Sequence, residues 1–372
     1  MAAVLKHWRE AATLLLVTRK QSGKNVKFQP LNSTNTTQKI NTNKTALVGL
    51  MGDNLDVLLL KRSSKSRFMP SVYVFPGGVA SDADFSADWR SYFLRVNSDL
   101  ALNTFKYVQK GGVDCPMFNR ERDPQFCYIP SELAFRICAI RETFEESGVL
   151  LARKIADLKD ITADFMAKSP ILGTPIHNEK DILEYWRKEV YADPSKFLAM
   201  CKELKIIPDV WCLYEWSNWL TPTGLDSFSK KSGRRFDTAF FMACVPEKPE
   251  AMHDEGETVH LQWGSPKDVL YEYAHNQAQI APPQLYELSR LFNFADINHL
   301  HEFVWKRELQ GLIRYFPIQI KCQDAYLSVL PGDGLYPKEP NVETGNQVDE
   351  REETLAELKK KFPKQHRTYL SD

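Results

Sequence analysis

The chain has 372 residues, 43% of them hydrophobic and 26% charged, which is the composition of a soluble globular protein. Basic and acidic residues balance at 48 each, so nothing global indicates a nucleic-acid or membrane partner, and any anion site must be a local basic patch. No apolar run approaches the roughly 18 residues of a membrane span. The seven scattered cysteines, without a CxxC pair, indicate reduced thiols.

Short apolar runs between turn residues predict strands, and a 3.6-residue apolar period predicts helices. In chain order they give strands at 11–18, 46–51, 57–60 and 72–75, helices at 131–147, 182–192 and 194–204, strands at 210–220, 236–245 and 259–263, a helix at 266–274 and a mostly helical run at 284–314. Residues 80–131 lack a strong period and are interpreted as an insertion. Strands that alternate with a few large helices predict a mixed α/β architecture.

The helix predicted at 131–147 carries a dense acidic pattern. Glu142, Glu145 and Glu146 fall within five positions, and residues three or four apart are neighbours on a helix surface. Such a cluster opposes the helix unless a cation lies among the carboxylates, and magnesium often combines carboxylate ligands with substrate phosphates. The pattern therefore predicts metal-assisted phosphate chemistry. The alternative is a solvated acidic face with an Arg141–Glu145 ion pair.

Residues 141–149, preceded by Gly77-Gly78 at a strand end, resemble the Nudix hydrolase box G-x5-E-x7-R-E-U-x-E-E-x-G-U, in which U is apolar. The second half matches except at Thr143, whereas residues 79 to about 131 separate Gly78 from Arg141. Counting back from Arg141 places the first box glutamate at Leu133. The nearest carboxylate, Glu132, is one position away, a rotation of about 100° on a helix.

Residues 58–78 resemble a second element, L-L-T-x-R-[SA]-x3-R-x3-G-x3-F-P-G-G, which is typical of the coenzyme A diphosphatase subgroup. Nine positions match in register: Leu58, Leu59, Arg62, Ser63, Arg67, Phe75, Pro76, Gly77 and Gly78. Leu60 replaces threonine, and Ser71 replaces glycine. The long insertion and the segment Ala281-Pro282-Pro283-Gln284 resemble the animal group of nucleoside-diphosphate-linked moiety X motif 19 proteins.

The resemblance implies an α/β (α+β) fold, a Nudix-type mixed-sheet α/β/α sandwich with large helical insertions. It predicts a Nudix hydrolase domain over residues 8–275, with insertions near 80–131 and 152–206. A helical C-terminal extension over 276–330 is expected to pack on this domain. Residues 331–372 are expected to form a polar, partly disordered tail with a helix at 355–361.

The resemblance also implies the site residues. Mg²⁺ or Mn²⁺ would be held by Glu142, Glu145, Glu146 and the backbone of Gly78, with Glu142 as general base and Arg141 as its catalytic neighbour. The expected substrate-binding residues are Arg62, Arg67, Phe75 and Gly77, because arginine can bind phosphate through two nitrogens. Further candidates are Glu132, Glu255 and Glu257, for which a charged hairpin tip is the alternative at the last two. Trp211, Trp216 and Trp219 are interpreted as core residues rather than as an adenine platform.

The implied reaction is hydrolysis of the pyrophosphate bond of coenzyme A or acyl-coenzyme A, giving 3′,5′-ADP and (acyl-)4′-phosphopantetheine. One alternative is a Nudix hydrolase of capped RNA, ADP-ribose or NADH, although balanced charge argues against dedicated RNA binding. Another is an inactive Nudix-fold binding module, supported only by Leu133. The resemblance implies an intracellular protein in peroxisomes or mitochondria, with the cytoplasm as the alternative, and the sequence carries no clear targeting signal. Acyl-chain preference and oligomeric state stay open.

Overall fold

The computed structural model describes most of the chain, and the elements are numbered here in chain order. It covers residues 8–20, 53–66, 69–101, 115–158, 170–176, 180–222, 235–252, 258–342 and 348–370. The strands are β1 Arg9–Arg19, β2 Leu55–Arg62, β3 Tyr73–Val74, β4 Gly77–Val79, β5 Ala152–Lys154, β6 Ile206–Pro208, β7 Tyr214–Leu220, β8 Phe236–Cys244, β9 Thr258–Gly264, β10 Arg314–Tyr315, β11 Ile318–Lys321, β12 Tyr326–Val329, β13 Asp349–Glu350 and β14 Arg367–Leu370. The α-helices are α1 Ala87–Val96, α2 Ser131–Ser147, α3 Lys180–Ala192, α4 Lys196–Leu204, α5 Pro266–Ala274, α6 Pro282–Leu291, α7 Ile297–Glu308 and α8 Leu355–Lys361.

The main sheet is built around β1, whose apolar run is almost completely buried. Its strands follow the order β10-β7-β8-β1-β2-β3, with β9 paired to β2. Strand β8 runs parallel to β1 along nearly its whole length. On the other edge β1 has two antiparallel partners, because β2 pairs with residues 17–19 and β4 pairs with residues 11–13. The sheet therefore divides beside the first half of β1, and the Gly77-Gly78 strand occupies the division.

Helices cover both faces of this sheet. Along β1, Leu14 and Leu16 pack in the apolar cluster that contains α1 to α4, whereas Leu15 and Val17 pack against α5 to α7. This alternation is the period of two that a strand imposes on its side chains. The arrangement is an α/β/α sandwich with a mixed sheet, so the predicted fold class is confirmed.

The segments predicted as insertions pack on each other and on α2. Trp89 of α1 lies 5.9 Å from Phe197 of α4 between ring centroids, and Phe93 lies 6.2 Å from Trp211. The Tyr92 hydroxyl is within hydrogen-bond distance of two backbone carbonyl oxygens beyond α3, those of residues 201 and 206. The segments before and after α2 thus form one layer on the same face of the sheet.

The C-terminal segment departs from the polar, partly disordered tail expected from its composition. Strands β13-β11-β12-β14 form a second sheet, and the predicted helix at 355–361 is observed as α8. A few apolar side chains, including Leu335 and Leu358, pack with Trp8 and Phe316. The sequence did not predict this apolar cluster, because the segment is mostly polar and the members of the cluster lie far apart in the chain. The domain boundaries themselves stay a prediction.

Most predicted elements are observed, and the differences lie at their ends. The helix at 131–147 has the predicted bounds, with Pro130 at its N-cap position and Gly148, at φ +72°, at its C-terminal end. The strand expected at 210–220 begins with a 3-10 turn at Val210–Cys212 and becomes regular only as β7. The strand expected at 46–51 lies outside the described residues. Among the described residues, helices long and apolar enough to cross a membrane are absent.

Candidate active site

Two glycines let the backbone approach helix α2. Gly77 adopts φ +153°, a Cβ there would collide with the Ala12 carbonyl oxygen, and its N–H donates to Glu146 Oε2 at 2.8 Å. At Gly78 a Cβ would overlap the carboxylate of Glu142. Any larger residue at either position would displace a neighbouring strand or carboxylate. The glycines therefore bring the β4 backbone against the predicted ligands of α2.

Arg141 is the centre of the site. Its Nε and Nη2 donate to the two carboxylate oxygens of Asp84, each at 2.8 Å. Its Nη1 donates to Glu142 Oε1 and Glu145 Oε1, also at 2.8 Å. The guanidinium is almost fully buried, so these contacts are shielded from solvent. Three carboxylates share one guanidinium, and we call this group the Arg141 cluster. It concentrates negative charge beside Gly77 and Gly78, which form the glycine turn.

Burial, together with this charge density, shifts the protonation of Glu142. Burial raises the pKa of Glu142 to about 7, Arg141 opposes the shift, and the neighbouring Glu145 carboxylate adds to it. The same negative surroundings raise the pKa of Arg141 further above its usual range, mainly through Asp84, although burial opposes this. The carboxylate of Glu142 therefore lies where an additional cation would be stabilised.

Asp84 is the site residue that the sequence analysis missed. It lies six positions after Gly78, which is the spacing of the first carboxylate in the Nudix box when counted forward from the glycine. A capping box fixes this turn, because the Ser81 N–H donates to Asp84 Oδ2 at 2.9 Å. The insertion therefore lies between Asp84 and Arg141 in the sequence. For this reason, counting back from Arg141 gives Leu133 on α2 instead of Asp84.

Glu132 does not take the place of that first carboxylate. It lies in the first turn of α2, ten residues from Glu142, which is about 15 Å along a helix. Burial raises the pKa of Glu132 to about 7, and the carboxylate that adds to this shift is that of Glu215, which is not a member of the Arg141 cluster. Leu133, the position reached by counting back, is a fully buried core residue.

The predicted substrate-binding residues fall in different places. Arg62 ends β2, which runs antiparallel to β1, so it lies towards the end of the sheet where β4 pairs. Its guanidinium donates to Ser66 Oγ at 2.9 Å, and Ser71 in the same loop has φ +61°, where the subgroup element has glycine. Arg67 lies outside the described residues.

Phe75 is a correction to the predicted substrate set. Its side chain is 1% exposed and packs in the apolar cluster of α5 to α7, 6.5 Å from the Phe240 ring centroid. That cluster lies on the face of the sheet opposite α2. The backbone carbonyl of Phe75 receives a long hydrogen bond from Thr13, so Phe75 anchors the glycine turn rather than facing the Arg141 cluster.

Other candidates lie outside the site or outside the described residues. Glu255 and Glu257 lie outside the described residues. Trp211, Trp216 and Trp219 are all buried, and the indole nitrogens of the last two donate to the carboxylate of Glu287. The preference for a core role at these tryptophans is therefore confirmed. All seven cysteines lie within the described residues, and none of them forms a disulfide.

The donor set fits a hard divalent cation. Within the described residues, His, Cys, Asp and Glu side chains do not form a preassembled group of three around one point. Glu142 and Glu145 each give an oxygen to Arg141, and Glu146 gives one to Gly77. Because Gly78 has no side chain, its backbone lies directly against the Glu142 carboxylate. Carboxylate and carbonyl oxygens are the ligands that Mg²⁺ prefers.

The chain is similar to known proteins over nearly its whole length. A family profile described as NUDT19 Nudix domain matches residues 8–291, and one described as NUDT19 C-terminal domain matches residues 319–372. A Xenopus laevis protein named acyl-coenzyme A diphosphatase NUDT19 is 41% identical, over 100% of this chain and 92% of that protein. The Gallus gallus protein of the same name is 37% identical, over 91% of this chain and 82% of its own length. A Nudix hydrolase structure from Alicyclobacillus acidocaldarius is 18% identical, covers 80% of this chain and 97% of its own, and has a TM-score of 0.47.

Proposed function

The chain belongs to the NUDT19 Nudix family, and from that premise we propose that it is a metal-dependent hydrolase of the pyrophosphate bond in coenzyme A and acyl-coenzyme A. The observation that carries the proposal is the Arg141 cluster, in which Asp84, Glu142 and Glu145 share one guanidinium beside Gly77 and Gly78. The names of the relatives supply the substrate class. The products would be 3′,5′-ADP and (acyl-)4′-phosphopantetheine.

The proposed metal ligands are Glu142, Glu145, Glu146 and the backbone of Gly78. A bound Mg²⁺ or Mn²⁺ would neutralise pyrophosphate charge and increase the acidity of a water molecule. Arg141 and the Gly77 N–H fix the orientation of the three carboxylates before substrate arrives. This preorganisation matters because ligand side chains that must reorder on binding weaken both metal affinity and rate.

Glu142 is proposed as the general base. Its Oε1 is held by Arg141, and its carboxylate lies against Gly78, where the pyrophosphate is expected. It would take the proton from a water that attacks one phosphorus of the pyrophosphate. The bond from that phosphorus to the bridging oxygen would break, and the bridging oxygen would leave with the other phosphate. A well-placed base contributes about 10²- to 10⁴-fold to the rate.

Arg62 and Arg67 are proposed to bind the phosphates of coenzyme A. Arg62 lies at the end of β2, with Ser66 fixing its guanidinium, so it projects near the end of the sheet that carries the glycine turn. Glu255 and Glu257 stay predictions for additional metal contacts. A peroxisomal or mitochondrial location likewise stays a prediction from the family resemblance.

The experiment is turnover of a substrate panel with magnesium, followed by mass identification of products. We expect hydrolysis of coenzyme A and acetyl-coenzyme A, and weaker turnover of ADP-ribose, NADH and capped RNA. Absence of turnover on every coenzyme A species would overturn the proposal. Full activity in Glu146→Gln would contradict the metal assignment, because that change leaves the Gly77 N–H a partner but removes a charged ligand.

A further inference from the structure

The insertion after α2 sends one arginine back to the end of that helix. Arg187, on α3, donates its Nε to the backbone carbonyl of Glu145 at 2.8 Å. The guanidinium also lies over the helix end, because its Nη1 would be 3.5 Å from a Cβ placed on Gly148. Arg187 is only 6% exposed, so the contact is made inside the protein.

A helix end is where such a contact has the most effect. The last four carbonyls of a helix have no partner within it, and the C-terminal end carries a partial negative charge of the macrodipole. Arg187 supplies both a donor and a positive charge at that end. The Met252 N–H also contacts this end, donating to the Ser147 carbonyl at 2.9 Å.

The turn that Arg187 holds is the turn that carries Glu145 and Glu146. Both are proposed metal ligands, and the backbone atom that Arg187 binds belongs to Glu145 itself. If the carbonyl lost its partner, this turn would fray, and the two carboxylates would sample several positions.

Packing gives Arg187 a rigid base. Trp186 and Val190 lie on the same inward side of α3 and belong to the apolar cluster that buries α2. Beyond α3, the chain packs against the first insertion through Phe197 and Trp89. Arg187 is thus held by a body that includes both insertions.

We propose that Arg187 is a positioning residue, through which the second insertion fixes the ligand-bearing last turn of α2 and thereby sets the affinity for the divalent cation. The inference rests on the proposed function only in taking Glu145 and Glu146 as metal ligands. Under this proposal the second insertion contributes to metal binding as well as to packing.

The electrostatic and the positional effects of Arg187 have opposite signs, which makes the inference testable. A cation near the site repels a metal ion, so removal of its charge alone would tighten metal binding. Removal of the hydrogen bond frees two ligands and would weaken metal binding. Residues that orient metal ligands typically change metal affinity by about 10- to 100-fold when replaced, which exceeds the effect of one screened charge.

The test compares Arg187→Met, Arg187→Lys and the control Val190→Ala in the full chain. Mn²⁺ binding is measured without substrate by the electron paramagnetic resonance signal of the free ion, and kcat and KM for coenzyme A are measured at saturating and limiting metal. Val190 packs on the same side of α3 without a polar contact, so Val190→Ala destabilises the same helix and leaves the hydrogen bond in place.

We expect Arg187→Met to weaken Mn²⁺ binding about 10- to 100-fold. Arg187→Lys should fall between it and the wild type, and Val190→Ala should bind Mn²⁺ as the wild type does. Activity in Arg187→Met should recover at high metal with KM for coenzyme A unchanged. Unchanged or tighter Mn²⁺ binding in Arg187→Met, or equal loss in Val190→Ala, would overturn the inference.

The result is separable from the proposed substrate. If the wild type binds Mn²⁺ but does not hydrolyse coenzyme A, the substrate proposal fails and the Mn²⁺ comparison still decides the role of Arg187. If the wild type does not bind Mn²⁺, the ligand assignment and the role of Arg187 fail together. Should Arg187→Met not fold, the Arg187→Lys and Val190→Ala pair decides, because only the first alters the contact with the Glu145 carbonyl.

Discussion

Helix α2 carries two buried ionic clusters, one at each end, and only one of them has the features of an active site. Near its start, Arg136 donates to the carboxylates of Glu215 and Glu308 and to the carbonyls of Glu132 and Leu213. Near its end, Arg141 donates to three carboxylates. The two arginines are five residues apart, so they point about 140° away from each other around the helix.

The difference lies in what surrounds each guanidinium. Arg136 is enclosed by side chains, with its guanidinium carbon 5.2 Å from the Phe241 ring centroid. The Arg141 cluster instead faces Gly77 and Gly78, whose missing side chains leave the backbone against the carboxylates. Buried charge by itself therefore does not identify a site. A chemical role requires an approach for substrate, which the glycine turn supplies at only one end of α2.

The largest expected effect tests the catalytic end. Glu142→Gln should lower kcat about 10²- to 10⁴-fold, because a neutral amide cannot accept the proton of water. Stability should not fall, since the change removes a buried carboxylate that Glu145 repels. Steady-state kinetics on coenzyme A and thermal unfolding measure the two outcomes. A kcat within a few-fold of the wild type would assign the base to another residue.

The next effect tests the structural end. Arg136→Met should lower the free energy of unfolding by about 3–5 kcal/mol, because it leaves the buried carboxylates of Glu215 and Glu308 without their arginine. The kcat of the molecules that remain folded should be unchanged. Urea unfolding and active-site titration separate the two quantities. A selective loss of kcat without loss of stability would remove the distinction between the two ends.

A smaller effect concerns the residue that supports Arg141. Asp84→Asn should lower activity about 10- to 100-fold, since it removes the charge that orients the guanidinium between the metal ligands. Asp84→Glu should retain more activity than Asp84→Asn. Asp82→Asn is the matched control, as Asp82 lies in the same turn and is exposed. Equal loss in Asp82→Asn would indicate disruption of the turn rather than of the Arg141 contact.

The smallest effect is a pH dependence at the structural end. Burial raises the folded-state pKa of Glu132 to about 7, above the usual glutamate value, so its stabilising contribution is complete at acid pH and is lost as pH rises through 7. Glu132→Gln should therefore be more stable than the wild type at pH 8, by on the order of 1–2 kcal/mol, and similar at pH 5. Urea unfolding at the two pH values measures this.

The exposed Glu121→Gln serves as the control for that series and should show the same stability difference at both pH values. Activity of Glu132→Gln should match the wild type, because Glu132 lies far from the Arg141 cluster. A large loss of activity would return Glu132 to the list of site residues.

The sequence was sufficient where local periodicity and spacing carry the information. The bounds of α2 follow from the 3.6-residue period of its apolar residues. The grouping of Glu142, Glu145 and Glu146 follows from helical neighbours at three and four residues. These features depend on residues within one or two turns of each other, so no tertiary contact was needed to find them.

Only the tertiary structure decided which distant residues complete the site. The partner of Arg141 is Asp84, 57 positions away, because an insertion separates two parts of one motif. Phe75 matched the motif, but its side chain packs in the apolar cluster on the opposite face of the sheet. Arg187 has no signal in the sequence, since its role depends on packing between α3 and α2. Spacing along the chain specifies which side chains lie together on one face of a helix. Which residues pack against that helix depends on contacts between distant segments, and local sequence patterns do not reveal those contacts.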